Sequence, residues 1–348
     1  MPPAAAASSR RSRAAHAEPH WPGVRLHVVT GKGGTGKTTV AAALAVAIAT
    51  GGRRVLLCEV EGRQGIARLF DVPPLPYEER TVAVAPDGGE VFALPVDAEQ
   101  ALLEYLELFY KLGRAGKALR KLGAVDFATT VAPGLRDVLL TGKAYEAVRR
   151  RRKDGAGGER AVYDAVVLDA PPTGRITRFL GVHAEVAGLA KVGPIRGQAD
   201  SIMDLLRSPQ TAVHLVTLLE EMPVQETCDA VEELTAAGLP VGGIVVNMTR
   251  PPLLPGPTLE AAARGALDRE DVVAGLVASG ARAEPHVVDA LLAEGRAHAE
   301  RVALEQAERA TLETIGHRTY ELPVLADGVD LGGLYALAAA LREQGACS

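Results

Sequence analysis

The run Gly31-Lys32-Gly33-Gly34-Thr35-Gly36-Lys37-Thr38-Thr39 has the residue types and spacing to hold a nucleotide polyphosphate. Residues 31–38 follow the pattern G-x-x-x-x-G-K-[ST], in which glycines let successive backbone N–H groups converge on phosphate oxygens and a following helix adds its positive N-terminus. Gly33, Gly34, Thr35, Gly36 and Thr39 are then cradle residues. Lys37 would reach the β- and γ-phosphates, and the Thr38 hydroxyl would ligate the Mg²⁺ that bridges them. Three carboxylates further along are placed for the same chemistry: Asp169, at the end of an apolar stretch, as a second Mg²⁺-associated group, and Glu59 and Glu61, either of which could position an attacking water. Asn247, also at the end of an apolar stretch, can pair with an adenine edge.

These residues need a scaffold, and the pattern around them supplies one. Residues 24–30 read as a short buried strand and 40–50 as an alanine-rich helix, so the glycine loop stands between strand and helix. Further strands are expected at 54–58, 161–168, 211–219, 241–247 and 320–325, with helices at 198–206, 223–237, 259–280, 284–315 and 331–342. Residues 81–86 and 90–97 flank Asp87-Gly88-Gly89 as a hairpin or as two separate strands. Strands alternating with helices predict an α/β fold, a doubly wound and mostly parallel sheet. From 98 to 153 the pattern is helical for far longer than one crossover requires, with Leu102, Leu103, Leu106 and Phe109 among the residues of one apolar face, then helical stretches at 115–122 and 135–148. With residues 184–209 this predicts a helical insertion subdomain. The basic run Arg149 to Lys153 reads as a solvated helix end.

Composition narrows the class. Of 348 residues 47% are apolar, enough for a large core, and the net charge is −5, which argues against a general nucleic-acid binder. No apolar run approaches the roughly 18 residues needed to span a bilayer. Cys58, Cys228 and Cys347 lie far apart with no metal-binding spacing, and suit a reducing cytoplasm. His214 lies in an apolar strand pattern and is expected to be a packed or capped histidine. Residues 1–22, rich in Ala, Ser, Arg and Pro, read as a disordered tail ahead of an ATPase domain at 23–348; Arg10, Arg11 and Arg13 lack the apolar stretch an export signal would place after them.

The residues above carry a family resemblance. A lysine inside the glycine loop, here Lys32, resembles the deviant P-loop of the dimeric ATPases that include MinD, ParA and nitrogenase iron protein. Together with Asp169-Ala170-Pro171-Pro172-Thr173-Gly174 through Leu180, and Val245-Val246-Asn247, it is similar to the ArsA family of anion-pump ATPases. The resemblance runs from about residue 25 to the C-terminus and is weakest in the helical insertion. It implies a Mg²⁺-dependent ATPase in which Lys32 crosses a dimer interface to the nucleotide of the other subunit, in a homodimer or a heterodimer with a paralogous ATPase. It also implies adenine-pocket roles for Asn247, Pro323 and Leu325, and a client at the helical insertion that is a membrane protein or membrane partner. The site is expected to be cytoplasmic or peripheral to a membrane, with no nucleic acid bound.

Departures from the family shape the expectation. Its catalytic Asp, in an Asp-Pro-Ala sequence, falls on Glu61, with Gly62 and Arg63 on the following two positions. A carboxylate one methylene longer holds water differently, and an error of about an ångström can cost roughly 10²-fold, so slow turnover is expected. The paired zinc-binding cysteines of the guided-entry branch are missing, so no zinc is expected. Two alternatives stand beside this reading: a positioning ATPase similar to MinD or ParA, and a nucleotide-binding, weakly catalytic subunit of a heterodimeric ATPase.

Overall fold

In the computed structural model, the described residues are 20–62, 64–110, 133–153, 157–189, 194–326 and 328–347. The expected stretch at 115–122, Arg63 and most of the N-terminal tail lie outside them. In chain order the first half contains β1 (Leu26–Gly31), α1 (Lys37–Ala49), β2 (Arg54–Glu59), α2 (Gly65–Leu69), β3 (Arg80–Ala85), β4 (Gly89–Pro95), α3 (Ala98–Tyr110), α4 (Pro133–Arg149), β5 (Arg151–Lys153), β6 (Glu159–Ala161) and β7 (Ala165–Asp169). The second half contains α5 (Thr173–Leu189), α6 (Pro194–Leu206), β8 (Thr211–Thr217), α7 (Glu221–Ala236), β9 (Val241–Thr249), α8 (Gly256–Ala263), α9 (Arg269–Ala278), α10 (Pro285–Thr314), β10 (Thr319–Pro323) and α11 (Leu331–Glu343).

Eight strands form one sheet in the order β10-β9-β8-β1-β7-β2-β4-β3, and only the β3–β4 pair at one edge is antiparallel. The hairpin reading of residues 81–97 is therefore the one realised. Helices cover both faces, as a parallel sheet requires, and the side-chain alternation shows it. Val28, Leu56, Cys58 and Leu168 join one core with Leu140, Ala144, Phe179 and Ile202 of α4, α5 and α6. Val29, Val55, Leu57 and Val167 join the other with α1 and α11. Every residue of α1 from Val40 to Ala49 is buried, and its alanines let it lie close on the sheet. Cys58 and Cys347 are buried free thiols, each pushed up to about 12 by loss of solvation.

Three details depart from the expectations. Residues 259–280 are two helices, α8 and α9, because Gly265 adopts φ 65° and the Asp268 carboxylate then caps a new helix by accepting from the Glu270 N–H at 2.7 Å. The basic run is not one helix end. The helix stops at Arg149, Arg150 pairs with Glu79 at 2.7 Å, and Arg151–Lys153 pair antiparallel with Glu159–Ala161. Finally Trp21, assigned to the tail on composition, packs 4.3 Å from the His214 ring and donates its indole N–H to the Gly242 carbonyl.

His214 is packed as expected, in a buried stack with His27 whose ring nitrogens lie 3.0 Å apart. Loss of solvation drives both imidazoles down, His27 to about 3. A histidine neutral in the fold but free to protonate once unfolded makes the unfolded chain bind more protons below about pH 6.5, so stability falls as pH falls from there. Each contributes a slope of about 1.4 kcal/mol per pH unit. Thermal melts from pH 7 to pH 5 are expected to show a steep decline, and a flat profile over that range would contradict this account.

Candidate functional site

The carboxyl ends of β1, β2, β7, β8 and β9 converge on one mouth, where an open parallel sheet binds ligands. The glycine loop leaves β1 there and feeds α1. Gly36 adopts φ 85°, and a Cβ on it would stand 2.4 Å from the Asn247 amide, so both conformation and packing demand glycine. Gly33 and Gly34 face open space, with nothing within 4 Å of where a Cβ would be. No side chain caps α1, so its first N–H groups stay directed at the mouth. Thr35 donates its hydroxyl to the Lys32 carbonyl at 2.9 Å, and Lys37 Nζ reaches the same carbonyl at 3.3 Å.

Asp169 stands beside this loop. It is register partner to Val29 on one side and to Glu59 on the other, so two carboxylates end adjacent parallel strands side by side. The Thr38 hydroxyl donates to Asp169 Oδ2 at 2.6 Å. Burial raises the Asp169 carboxyl to about 6; the Thr38 hydrogen bond and Lys37 oppose the shift, while Glu59 and Glu61 add to it. Glu59 accepts the Gly65 N–H at 2.9 Å on one oxygen, while its other, Oε2, is buried with no hydrogen-bond partner. A buried orphan oxygen beside a largely buried carboxylate is a donor set a divalent cation satisfies, so these residues fit Mg²⁺. Glu61 is half-buried in the loop after β2 and close enough to Asp169 to act on its charge.

Asn247 is buried at the end of β9, where its amide donates to the Thr35 carbonyl at 2.9 Å and braces the loop from beneath. Pro323 is exposed at the end of β10; Leu325 is half-buried, resting on α11 near Gly333. Lys32 pairs with Glu226 on α7, at 2.6 Å. Thr30, at the end of β1, donates to the Pro171 carbonyl at 2.6 Å and pins the turn after Asp169.

Two polar contacts join α4 to the loop after β2 and to the start of α5. Arg136 on α4 reaches the Val60 carbonyl at 3.5 Å, and Asp137 lies 3.9 Å from Arg175 at the start of α5. Between them a cleft of about 600 Å³ is lined by Val60, Gly62, Gln64, Tyr77, Asp137 and Arg175, among others. From the sequence, Arg136 and Asp137 drew no notice, and Arg175 entered only as part of the run 169–180 with no role of its own. No spacing signal marks them, since α4 and the β2 loop are far apart in the chain.

A P-loop between β1 and α1, a strand-end Asp hydrogen-bonded to the P-loop threonine and a mostly parallel sheet define a P-loop nucleotide-binding ATPase fold. Residues 24–208 match the family model described as Anion-transporting ATPase, and the chain belongs to the ArsA family. It is 54% identical over 329 residues to ATPase BagA of Mycobacterium tuberculosis, covering 93% of this chain and 96% of that one. It is 26% identical over 238 residues to the Arsenical pump-driving ATPase of Escherichia coli, covering 64% of this chain and 39% of that one, and likewise to the protein of that name from Acidiphilium multivorum. Among the described residues no helix is long and apolar enough to cross a membrane.

Proposed function

We propose that the protein is a Mg²⁺-dependent ATPase that works as a nucleotide-gated dimer, either of itself or with a paralogous ATPase. The observation that carries the reading is the Thr38–Asp169 hydrogen bond beside Lys37, in a loop that also holds Lys32. Thr38 and Asp169 would hold Mg²⁺, which would supply neutralisation of phosphate charge. Lys37 binds the phosphates, and Glu61, or Glu59 through its unpartnered oxygen, orients the attacking water. Lys32 stabilises charge growing on the phosphoryl group bound by the opposite subunit, as an arginine finger does in trans. Asn247, with Pro323 and Leu325, borders the adenine. The loop after β2 and the Asp169–Pro172 turn act as nucleotide-responsive switches, and the Arg136–Val60 and Asp137–Arg175 contacts give them a route to the helical insertion, where a membrane-related client or membrane partner is handled. The protein would act in the cytoplasm or at a membrane surface.

One measurement tests the dimer. Turnover per protomer is expected to fall on dilution and to recover when a paralogous ATPase is added back; turnover independent of concentration would rule the dimer out. Glu61, standing where the resemblance places an Asp, favours a second reading, a nucleotide-holding subunit whose turnover emerges only in the mixture.

A further inference from the structure

Lys32 does not lie idle in the loop. Its ammonium is bonded to Glu226 Oε1 at 2.6 Å, and the other oxygen of the same carboxylate accepts the Thr173 hydroxyl at 3.2 Å. Thr173 is buried and opens α5 directly after the Asp169–Pro172 turn. One turn further along, Thr177 donates to Glu233 at 3.1 Å, so two threonine–glutamate rungs hold α7 against α5. Glu226 thus bridges the loop that binds phosphate and the segment that carries Asp169.

We infer that Glu226 is a positioning residue for Lys32: it stores the lysine within its own subunit and releases it to the neighbour when nucleotide rearranges the segment holding Thr173. The inference rests on the trans role proposed above for Lys32. Lys32 and Glu226 side chains are 30% and 35% exposed, and an ion pair so open to water is weak enough to exchange. A triphosphate offers the lysine more negative charge than one carboxylate does. Movement of Thr173 would remove the second bond that fixes Glu226 and so favour the exchange. Three groups then act in sequence without new covalent chemistry: Asp169 and its turn respond to nucleotide, Glu226 loosens, and Lys32 crosses.

The test compares the full-length protein with Glu226→Gln, Glu226→Ala, Glu226→Asp, Lys32→Ala and the double Lys32→Ala/Glu226→Gln. Each is followed by sedimentation with Mg²⁺ and a non-hydrolysable ATP analogue, and by turnover against protein concentration. Glu226→Gln and Glu226→Ala are expected to move the half-dimerisation concentration roughly twofold to fivefold lower. Turnover at saturating protein should be little changed, and Glu226→Asp, which keeps the charge, should stay near the parent. In the Lys32→Ala background the gain should vanish, a coupling that a purely structural role for Glu226 would not produce. The inference is overturned if Gln and Ala leave association unchanged or weaken it, or if the same gain persists without Lys32. A Lys32→Ala protein that dimerises and turns over like the parent would instead overturn the dimer reading itself.

Discussion

Replacing Lys32 with alanine is expected to lower turnover by roughly 10³-fold or more while nucleotide binding by the single protomer is largely kept. A cation delivered in trans to a transferring phosphoryl group is worth on the order of 10³ to 10⁵ in rate, because it meets charge that exists only in the transition state. Within its own subunit Lys32 pairs with Glu226, while Lys37 reaches the Lys32 carbonyl within the glycine loop. Losing Lys32 should therefore spare the protomer's own affinity and remove the concentration dependence of its activity. Equilibrium binding of a fluorescent nucleotide, beside turnover at several protein concentrations, separates the two effects. A variant with wild-type turnover, or one that loses binding in proportion to activity, would refute the trans role.

The second large effect lies at Asp169. Asp169→Asn keeps an acceptor for the Thr38 hydroxyl but removes the charge, and turnover is expected to drop by about 10²-fold, as when a metal's supporting carboxylate is lost. Stability should move the other way. With its carboxyl raised to about 6, the folded protein holds this proton more tightly than the unfolded chain does. The contribution of Asp169 therefore declines as pH rises from about 4 through about 6, and above that the buried charge costs on the order of 3 kcal/mol. Asp169→Asn is expected to melt higher than the parent at neutral pH. Mg²⁺-nucleotide affinity in the parent should weaken by about tenfold per pH unit below about 6, since the cation must displace the proton, and should be nearly flat in the variant. A parent affinity that ignores pH would remove Asp169 from the metal site. In acid the opposing slopes of His27 and His214 outweigh that of Asp169, two groups against one, so the protein as a whole should still lose stability as pH falls.

The stability gain expected at Asp169 and the activity it forfeits are one phenomenon. A strand end that buries a carboxylate, and sets it near Glu59 and Glu61, makes its charge costly, and a bound cation would relieve that cost. Glu59 illustrates the same point from its own side, with one oxygen tied to the start of α2 and the other left buried without a donor. Its position beside Asp169, one strand over and in register, makes it a stronger rival to Glu61 than chain order suggested.

Local chemistry is what the sequence could carry. The glycine loop, its lysines and Thr38 are contiguous, and their conformation follows from glycine's freedom and from the strand and helix on either side, so they were legible before any fold was known. The α/β class was legible for the same reason, since strand and helix periods are set over a few residues. Elements failed where a single residue overrode the pattern: Gly265 and Asp268 broke an apolar stretch into α8 and α9, and Arg150 left the basic run for Glu79. Trp21 sat in a stretch with the composition of a tail, yet its ring found the His27–His214 stack only because β1 and β8 are neighbours.

Across the chain, proximity is a property of strand order, and nothing in the linear pattern states that β7 lies between β1 and β2. That order puts Thr38 on Asp169, Asp169 beside Glu59, Asn247 under Thr35, and Lys32 on Glu226 across 194 positions. The conformation of the glycine loop was fixed by short-range geometry. The side chains that surround it were chosen by packing, because burial and charge act through space on whichever side chains the sheet brings together.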